Sequence, residues 1–371
     1  MQNRFAASSP LSWARTAIPA FLVLFLVACR GASWGSMTSL HVGTTTNEVN
    51  LLILIAQDRG YFASNGLDVT RTTYPSGVAG LAGLLDHEVE LVTGSEFAFV
   101  DHVLQDAGVC ALAVIDRSAI EYLVCRGDRG IESVADLKGK TVGVPLGSRP
   151  EFALHRFLYL EGIDVADVRL VDVPVDRSAE ALTSGEVDAI AAWQPYTTQA
   201  SEWLEGQVVS WSVQEDQPSY TLLMSRSGWA ADNRDVSVRF LTSLLRAEEY
   251  VAANPEDAIA FMHDMWDYDE AYVESIWPEH SFSVLLDQAL VVAMEDQARW
   301  IMSHDQAGKR QMPDFLDSIC AEGLEAVKPE AVKSQLSIDS WQLKQLSPVT
   351  VIAFAAASVS VLSWQTLQLV M

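Results

Sequence analysis

Apolar residues in this chain follow two spacings that take turns. Between residues 40 and 225, short apolar or alternating runs are separated by stretches whose apolar positions recur every three or four residues. The first spacing is that of a strand, the second that of a helix with one apolar face. Strands are expected at residues 40–44, 67–73, 90–93, 110–115, 121–125, 141–144, 169–173, 187–192, 208–213 and 220–225. Helices are expected at residues 51–59, 78–86, 97–107, 151–161, 178–183, 236–253 and 255–265. After Ser227 no clear strand pattern remains, and helical spacing runs on through residues 287–304 and 313–321. Strands alternating with helices predict an α/β fold with mostly parallel sheets flanked by helices, completed by a helical end. No internal repeat is visible.

The stretch from Asp136 to Tyr196 carries the most chemistry. Strand 141–144 feeds a Gly147-Ser148 turn and a helix beginning near Pro150. Pro150 suits a first helical turn and Ser148 can cap it. The free N–H groups and the helix dipole there form a cradle for an anion, to which Arg149 could add a forked pair. The competing reading is an exposed Arg beside a capped helix. Strand 187–192 delivers Trp193, Gln194 and Tyr196, and Trp193 is either a pocket wall or a plug at a strand end. Thr44, Thr45, Thr46 and Asn47 follow the first strand, where open α/β sheets place their crevice, although Thr46 or Asn47 could simply cap a helix. Tyr74 closes the second strand as a pocket wall or as packing. Gly77, Gly80 and Gly83 are spaced as a tightly packed helix face and do not match a dinucleotide fingerprint.

Three segments also carry a family resemblance. They are LLILIAQDRGYFASNGLDV from Leu51, DLKGKTVGV from Asp136 and GEVDAIAAWQPY from Gly185. In this order the chain resembles the periplasmic substrate-binding proteins of bacterial ABC importers, in the branch for sulfonates, taurine, nitrate and thiamine-type pyrimidines. The resemblance runs from about Leu40 to Val332. It implies a two-lobe, type II-like fold of mixed sheets flanked by helices, with the ligand cleft between lobes. Residues 38–116 and 220–335 would form one lobe and residues 117–219 the other. The Gly94-Ser95 loop would touch ligand, with Glu96 as a helix-capping acid, and Glu121 and Tyr220 would flank the hinge. The expected ligand-binding set is therefore Thr45, Asn47, Tyr74, Gly94, Ser95, Gly147, Ser148, Arg149, Trp193 and Tyr220. The implied function is an extracytoplasmic solute-binding protein that captures a small organic or anionic solute and delivers it to ABC permease subunits. Two alternatives share the fold: a ligand-sensing input domain of a membrane signalling protein, and an enzyme of pyrimidine synthesis. The enzyme would need a Cys-rich motif that this sequence does not contain.

Charge and targeting signals refine this picture. The 371 residues hold 24 Lys and Arg against 49 Asp and Glu, a net charge of −25, which argues against nucleic acid as a partner. Arg4 and Arg15 precede an apolar run over residues 17–28, the layout of a signal peptide over residues 1–28. Leu26-Val27-Ala28-Cys29 resembles a lipoprotein box, so Cys29 is a candidate lipidation site anchoring the chain to a membrane facing the periplasm or cell exterior. Residues 347–371 carry no charge and could span a bilayer. A membrane helix, a second anchor and a reading-frame artefact all fit that tail. Cys110, Cys125 and Cys320 lack zinc-site spacing. If strands 109–115 and 121–126 paired about Arg117-Ser118, Cys110 and Cys125 could face each other as a disulfide; otherwise they are buried thiols. No nucleophile–base set, Walker motif or HExxH helix occurs, so the chain reads as a binder with no cofactor and no metal.

Overall fold

The chain enters on β1 (Thr38–Thr44), where Leu40 and Val42 are buried and His41 between them is exposed, the alternation of a strand with one face on a core. The computed structural model describes residues 37–214, 217–304 and 311–333. After β1 come α1 (Leu51–Asp58), α2 (Tyr61–Ser64), β2 (Leu67–Thr73), α3 (Gly77–Leu85), β3 (Leu91–Ser95), α4 (Glu96–Leu104) and β4 (Val109–Ser118). A second group follows: β5 (Glu121–Arg126), β6 (Thr141–Val144), α5 (Arg149–Leu160), β7 (Arg169–Asp172), α6 (Ser178–Ser184), β8 (Ala189–Trp193), α7 (Tyr196–Trp203) and β9 (Val208–Ser212). The chain closes with β10 (Ser219–Arg226), α8 (Ser227–Asp232), α9 (Arg234–Ala253), α10 (Pro255–Trp266), α11 (Glu270–Ile276), the two-residue β11 (His280–Ser281), α12 (Gln288–His304), α13 (Glu322–Val327) and α14 (Glu330–Lys333).

The strands form two mixed sheets. The first has the order β11-β4-β10-β3-β1-β2 and the second the order β7-β6-β8-β5-β9. Within the first, β1 runs parallel to β2 and β3, while β10 lies antiparallel between β3 and β4. In the second, β6 is parallel to β7 and β8, and β5 is antiparallel to β8 and β9. Ser118 stands opposite Ser219, so both connections between the sheets leave the first one from adjacent points. They reach the second side by side as well, because Tyr122 stands opposite Ser212. This is the two-lobe periplasmic-binding-protein architecture with mixed sheets flanked by helices.

The first sheet packs into one large apolar core with α1, α4 and α9, in which Phe99, Phe240 and Phe315 are fully buried. The second sheet is covered on both faces. Leu123 points into a core with Leu154 and Leu158 of α5, and its neighbour Val124 points into another with Ala181 and Leu182 of α6. The glycine face of α3 is a packing device. A Cβ on Gly83 would lie 2.2 Å from the Tyr74 hydroxyl oxygen, and one on Gly80 would lie 2.7 Å from Val92.

Three expectations need correction. β4 and β5 do not pair about Arg117-Ser118; they belong to different sheets, because Ala119 and Ile120 carry the chain across. Cys110 therefore does not face Cys125. It is bonded to Cys320, with Cα atoms 5.8 Å apart, while Cys125 is a free, buried thiol. Residues 313–321 hold only a 3-10 turn at Phe315–Ser318, where Asp314 accepts from the Leu316 N–H. The signal segment, Cys29 and the apolar tail lie outside the described residues. Among the described residues no helix is long and apolar enough to cross a membrane.

The pairing has a direct check. Digestion without reduction should yield a cross-linked peptide joining Cys110 to Cys320, read by mass spectrometry. Cys125 should resist alkylation until the protein is unfolded, because burial, with Asp188 nearby, pushes its thiol up to about 12.

Candidate functional site

Most candidate residues sit at the carboxyl ends of β1, β3, β6 and β8 or at the two crossings. At the end of β1 the organiser is Asn50, a buried residue that the sequence reading passed over. Its amide nitrogen donates to Thr45 Oγ1 at 2.9 Å and to the Asn47 carbonyl at 3.2 Å, and its oxygen accepts from Thr93 Oγ1 at 2.6 Å. Thr45 Oγ1 in turn donates to Asn47 Oδ1 at 2.6 Å. Thr45 and Asn47 are thus tied into a turn that fixes the start of the next segment. The Thr46 carbonyl accepts from the Trp266 indole.

At the end of β3, Ser95 caps α4 by accepting from the Ala98 N–H at 3.3 Å. Gly94 lies so close to Gly77 that a Cβ on Gly77 would come within 2.9 Å of it. Tyr74 points back over the α3 glycines and donates to Glu88 at 2.8 Å. In the second lobe, Gly147 adopts a φ of +71° and its N–H donates to Glu151 at 2.6 Å, while the Ser148 hydroxyl donates to the Pro145 carbonyl. One donor of the expected cradle is therefore held by the helix's own acid.

Arg149 occupies the centre of the crossings. Only 5% of it is exposed. Its Nε donates to Glu96 at 3.0 Å, its Nη1 to Glu121 at 2.9 Å and its Nη2 to the Gln217 carbonyl at 3.2 Å. Glu96, fully buried, also accepts from Gln297 at 2.8 Å and from the Tyr220 N–H at 3.0 Å. Burial opposes the Arg149 charge, but Glu121 and Glu96 overcome it and hold the group above its ordinary value. Burial pushes the Glu121 carboxyl up to about 7; Arg149 opposes that rise and Glu96 adds to it. Gln214 joins the two crossings by accepting from the Glu121 N–H at 2.7 Å and donating to the Ser118 carbonyl at 3.4 Å. Trp193 sits opposite Glu121 in the ladder and meets Tyr196 edge-on, with ring centroids 6.3 Å apart.

A second group converges beside the crossings, from residues that sequence reasoning left aside. His280 Nδ1 lies 3.0 Å from Asp116, and its Nε2 lies 3.8 Å from Glu48. All three side chains are sealed from solvent. Burial disfavours charge on His280, but Asp116 and Glu48 outweigh it and raise the imidazole to about 10. Tyr268 donates to Glu48 at 3.3 Å and packs edge-on against Tyr272 at 4.8 Å. Burial first, then Glu48, drives both phenols well above their usual range, and Tyr268 also senses Tyr196 of the second lobe. Tyr122 of β5 donates to Glu279. Among the described residues, Thr44 Oγ1, Tyr272 OH and Glu279 Oε2 are buried without a hydrogen-bond partner, while Glu48 Oε1 and His280 Nε2 face each other at 3.8 Å as an ion pair. Buried polar atoms are rarely left so, and a cluster of them beside aromatic rings makes this a candidate ligand site. The available signal was the run WDYDEAY from Trp266, dense in aromatic and acidic residues.

These groups can bind but are poorly suited to covalent chemistry. An imidazolium held by two carboxylates has no free nitrogen to accept a proton at neutral pH, and the buried Cys125 thiol stays protonated. Among the described residues no cluster of His, Cys, Asp and Glu is arranged to hold a metal ion.

The family model described as NMT1/THI5 like matches residues 47–258, more than half of the chain. The chain belongs to the NMT1/THI5-like family. The formylaminopyrimidine-binding protein of Halalkalibacterium halodurans is 26% identical over 316 residues, covering 76% of this chain and 91% of that protein. The periplasmic aliphatic sulphonate binding protein SsuA from Escherichia coli superposes with a TM-score of 0.65 at 17% identity, over 76% of this chain and 97% of its own. The periplasmic nitrate-binding protein NrtA from Synechocystis superposes with a TM-score of 0.63 at 13% identity, over 81% and 92%. The matched family segment contains Glu48, Glu96, Glu121, Arg149 and Trp193, while His280, Tyr268 and Tyr272 lie beyond it.

Two outcomes follow from the charges. Arg149→Met should lower the unfolding free energy by about 3–5 kcal/mol, because it strips the buried Glu96 and Glu121 carboxyls of the guanidinium that both contact. Glu121→Gln should cost less, since burial already disfavours the charged form of that group; urea unfolding of both variants compares them. His280 has a folded value of about 10 against an ordinary 6.5. Its contribution to stability is therefore complete below pH 6.5 and lost as pH rises through about 10. Thermal melts should show the wild type weakening across that window more steeply than His280→Gln.

Proposed function

We propose that this chain is an extracytoplasmic solute-binding protein that takes up a small aromatic heterocycle bearing N–H donors and hands it to an ABC permease. The observation that carries this reading is the set of buried, unspent acceptors around Glu48, next to Tyr268 and Tyr272. Glu48 carries only a 3.3 Å bond from Tyr268 and a 3.8 Å ion pair to His280, and Glu279 Oε2 has no partner, so a ligand edge that donates hydrogen bonds is favoured; donation to a charged group is worth about 1.5–3 kcal/mol. An oxyanion placed there would meet Glu48, Asp116 and Glu279 together, with the His280 imidazolium between two of them already engaged. The ligand's polar edge is thus assigned to Glu48 rather than to Arg149, whose guanidinium already serves two carboxylates. Trp193 and Tyr196 supply the aromatic wall for its body. The relative that binds formylaminopyrimidine agrees with this class of ligand.

In this reading the protein works outside the cytoplasm, held to a membrane through lipid on Cys29, with residues 347–371 as a second attachment. Closure of the lobes around the solute is the signal to the permease, and no bond is made or broken.

A thermal-shift panel of aminopyrimidines, alkanesulfonates and nitrate tests the proposal, because a ligand that binds only the folded form raises the melting temperature. Aminopyrimidines should raise it and the oxyanions should not. Glu48→Gln should then weaken the bound compound roughly tenfold to a hundredfold by calorimetry. A sulfonate or nitrate that stabilises the protein while aminopyrimidines fail would reverse the assignment.

A further inference from the structure

The acids around His280 outnumber its one positive charge. Glu48 follows β1, Asp116 belongs to β4 and Glu279 immediately precedes β11. The imidazolium is taken up by Asp116 at 3.0 Å and Glu48 at 3.8 Å. Arg117, next along β4, turns instead to Asp287 at 3.5 Å. Burial holds the Glu279 carboxyl above its usual range, against opposition from the Tyr122 hydroxyl and from His280. Among the described residues, Asp116 Oδ1 and Glu279 Oε2 are buried without a donor. Tyr272 is only 7% exposed, its hydroxyl has no hydrogen-bond partner, and both Glu48 and Glu279 act on it. Asp269, which caps α11, adds a further acid within reach of that phenol. Aromatic rings enclose the group: Trp266 stacks on Tyr268 at 6.0 Å, Tyr272 meets Tyr268 edge-on, and Phe282 stacks on His280 at 5.0 Å. Tyr122 of the second lobe donates to Glu279 of the first, so the cluster lies where the lobes meet.

We propose that the solute held here is an organic cation, an aromatic heterocycle whose ring or side arm carries a positive charge, with that charge set against Glu48 and Glu279 and its ring against Tyr268 and Tyr272. The inference rests on the reading of this cluster as the solute site, and it deepens that reading by fixing the sign of the solute's charge. A neutral N–H edge would pair the spare oxygens and leave the carboxyls repelling one another. A cation does both jobs: it donates to an oxygen, and it favours the charged form of Glu279 that burial opposes. The faces of the tyrosine and tryptophan rings attract the same charge. At longer range the chain's net charge of −25 draws cations and repels anions.

Three probes separate the charge from the heterocycle by calorimetry on the full chain in detergent. They are 4-amino-5-(aminomethyl)pyrimidine, whose side amine is protonated at neutral pH, its neutral 5-hydroxymethyl counterpart of the same size, and benzylammonium, a cation without a heterocycle. The aminomethyl compound should bind roughly tenfold tighter than the hydroxymethyl one. Equal binding of the two pyrimidines, or tighter binding of the neutral one, overturns the inference and leaves the heterocycle reading standing. Binding of benzylammonium alone does the reverse: it supports the cation and removes the heterocycle. Binding of none of the three overturns both. Two variants place the charge. Glu279→Gln should bring the two pyrimidines to within about twofold of each other, while Tyr272→Phe, which removes a hydroxyl and no charge, should keep the preference. Should Glu279→Gln fail to fold, Glu48→Gln takes its place with the same expectation. A folded variant of either acid that keeps the full preference overturns the placement of the charge in this cluster.

Discussion

One buried guanidinium constrains much of this molecule. Arg149 sits where two lobes and two crossings meet, and a charge there is tolerable only with full compensation. Glu96 comes from the first lobe, Glu121 from the start of the second and the Gln217 carbonyl from the returning strand connection. Those three segments lie far apart in the chain, and a single side chain gathers them. The Gly147-Ser148 turn, the cap on α4 and the Gln214 bridge between crossings can each be understood as holding a member of that set in place.

This hub and its neighbour differ in how far their charged groups are paired. Around Arg149 each guanidinium nitrogen finds an acceptor, although Gln217 Oε1 and Gln297 Oε1 stay unpaired. Around Glu48 a Glu279 oxygen, the Tyr272 phenol and the Thr44 hydroxyl remain unspent in a buried, aromatic setting. The two features most open to a catalytic interpretation, a buried His between two acids and a buried Cys, are both held in protonated form.

Local pattern made most of the architecture legible. The strands of both sheets lie close to the expected runs, because alternating burial leaves a mark on every second residue, as at Leu40 and Val42. The glycine spacing on α3 implies a packed face, and Tyr74 fills it. What escaped was partnership across long separations. Nothing beside Arg149 in the sequence says that Glu96 stands 53 residues before it, or that Cys110 meets Cys320 at a separation of 210. Strands 109–115 and 121–126 look like a hairpin when read locally, and only the whole topology reveals that the chain changes sheets between them. The Glu48 site was hidden for a related reason, since its members come from the end of β1, from β4 and from the segment around α11, and none forms a motif alone.

The position of β10 carries a consequence for the order of assembly. β10 lies between β3 and β4, although the whole second sheet is made before it. As the chain is synthesised, β1, β2 and β3 can join, but β4 has no edge to pair with until residue 226 has emerged. The second lobe, being continuous in sequence, can mature first while the first lobe remains split in two. The last strands and helices then act as a keystone, and the exposed edges of β3 and β4 are the surfaces that must be kept from wrong partners until it arrives.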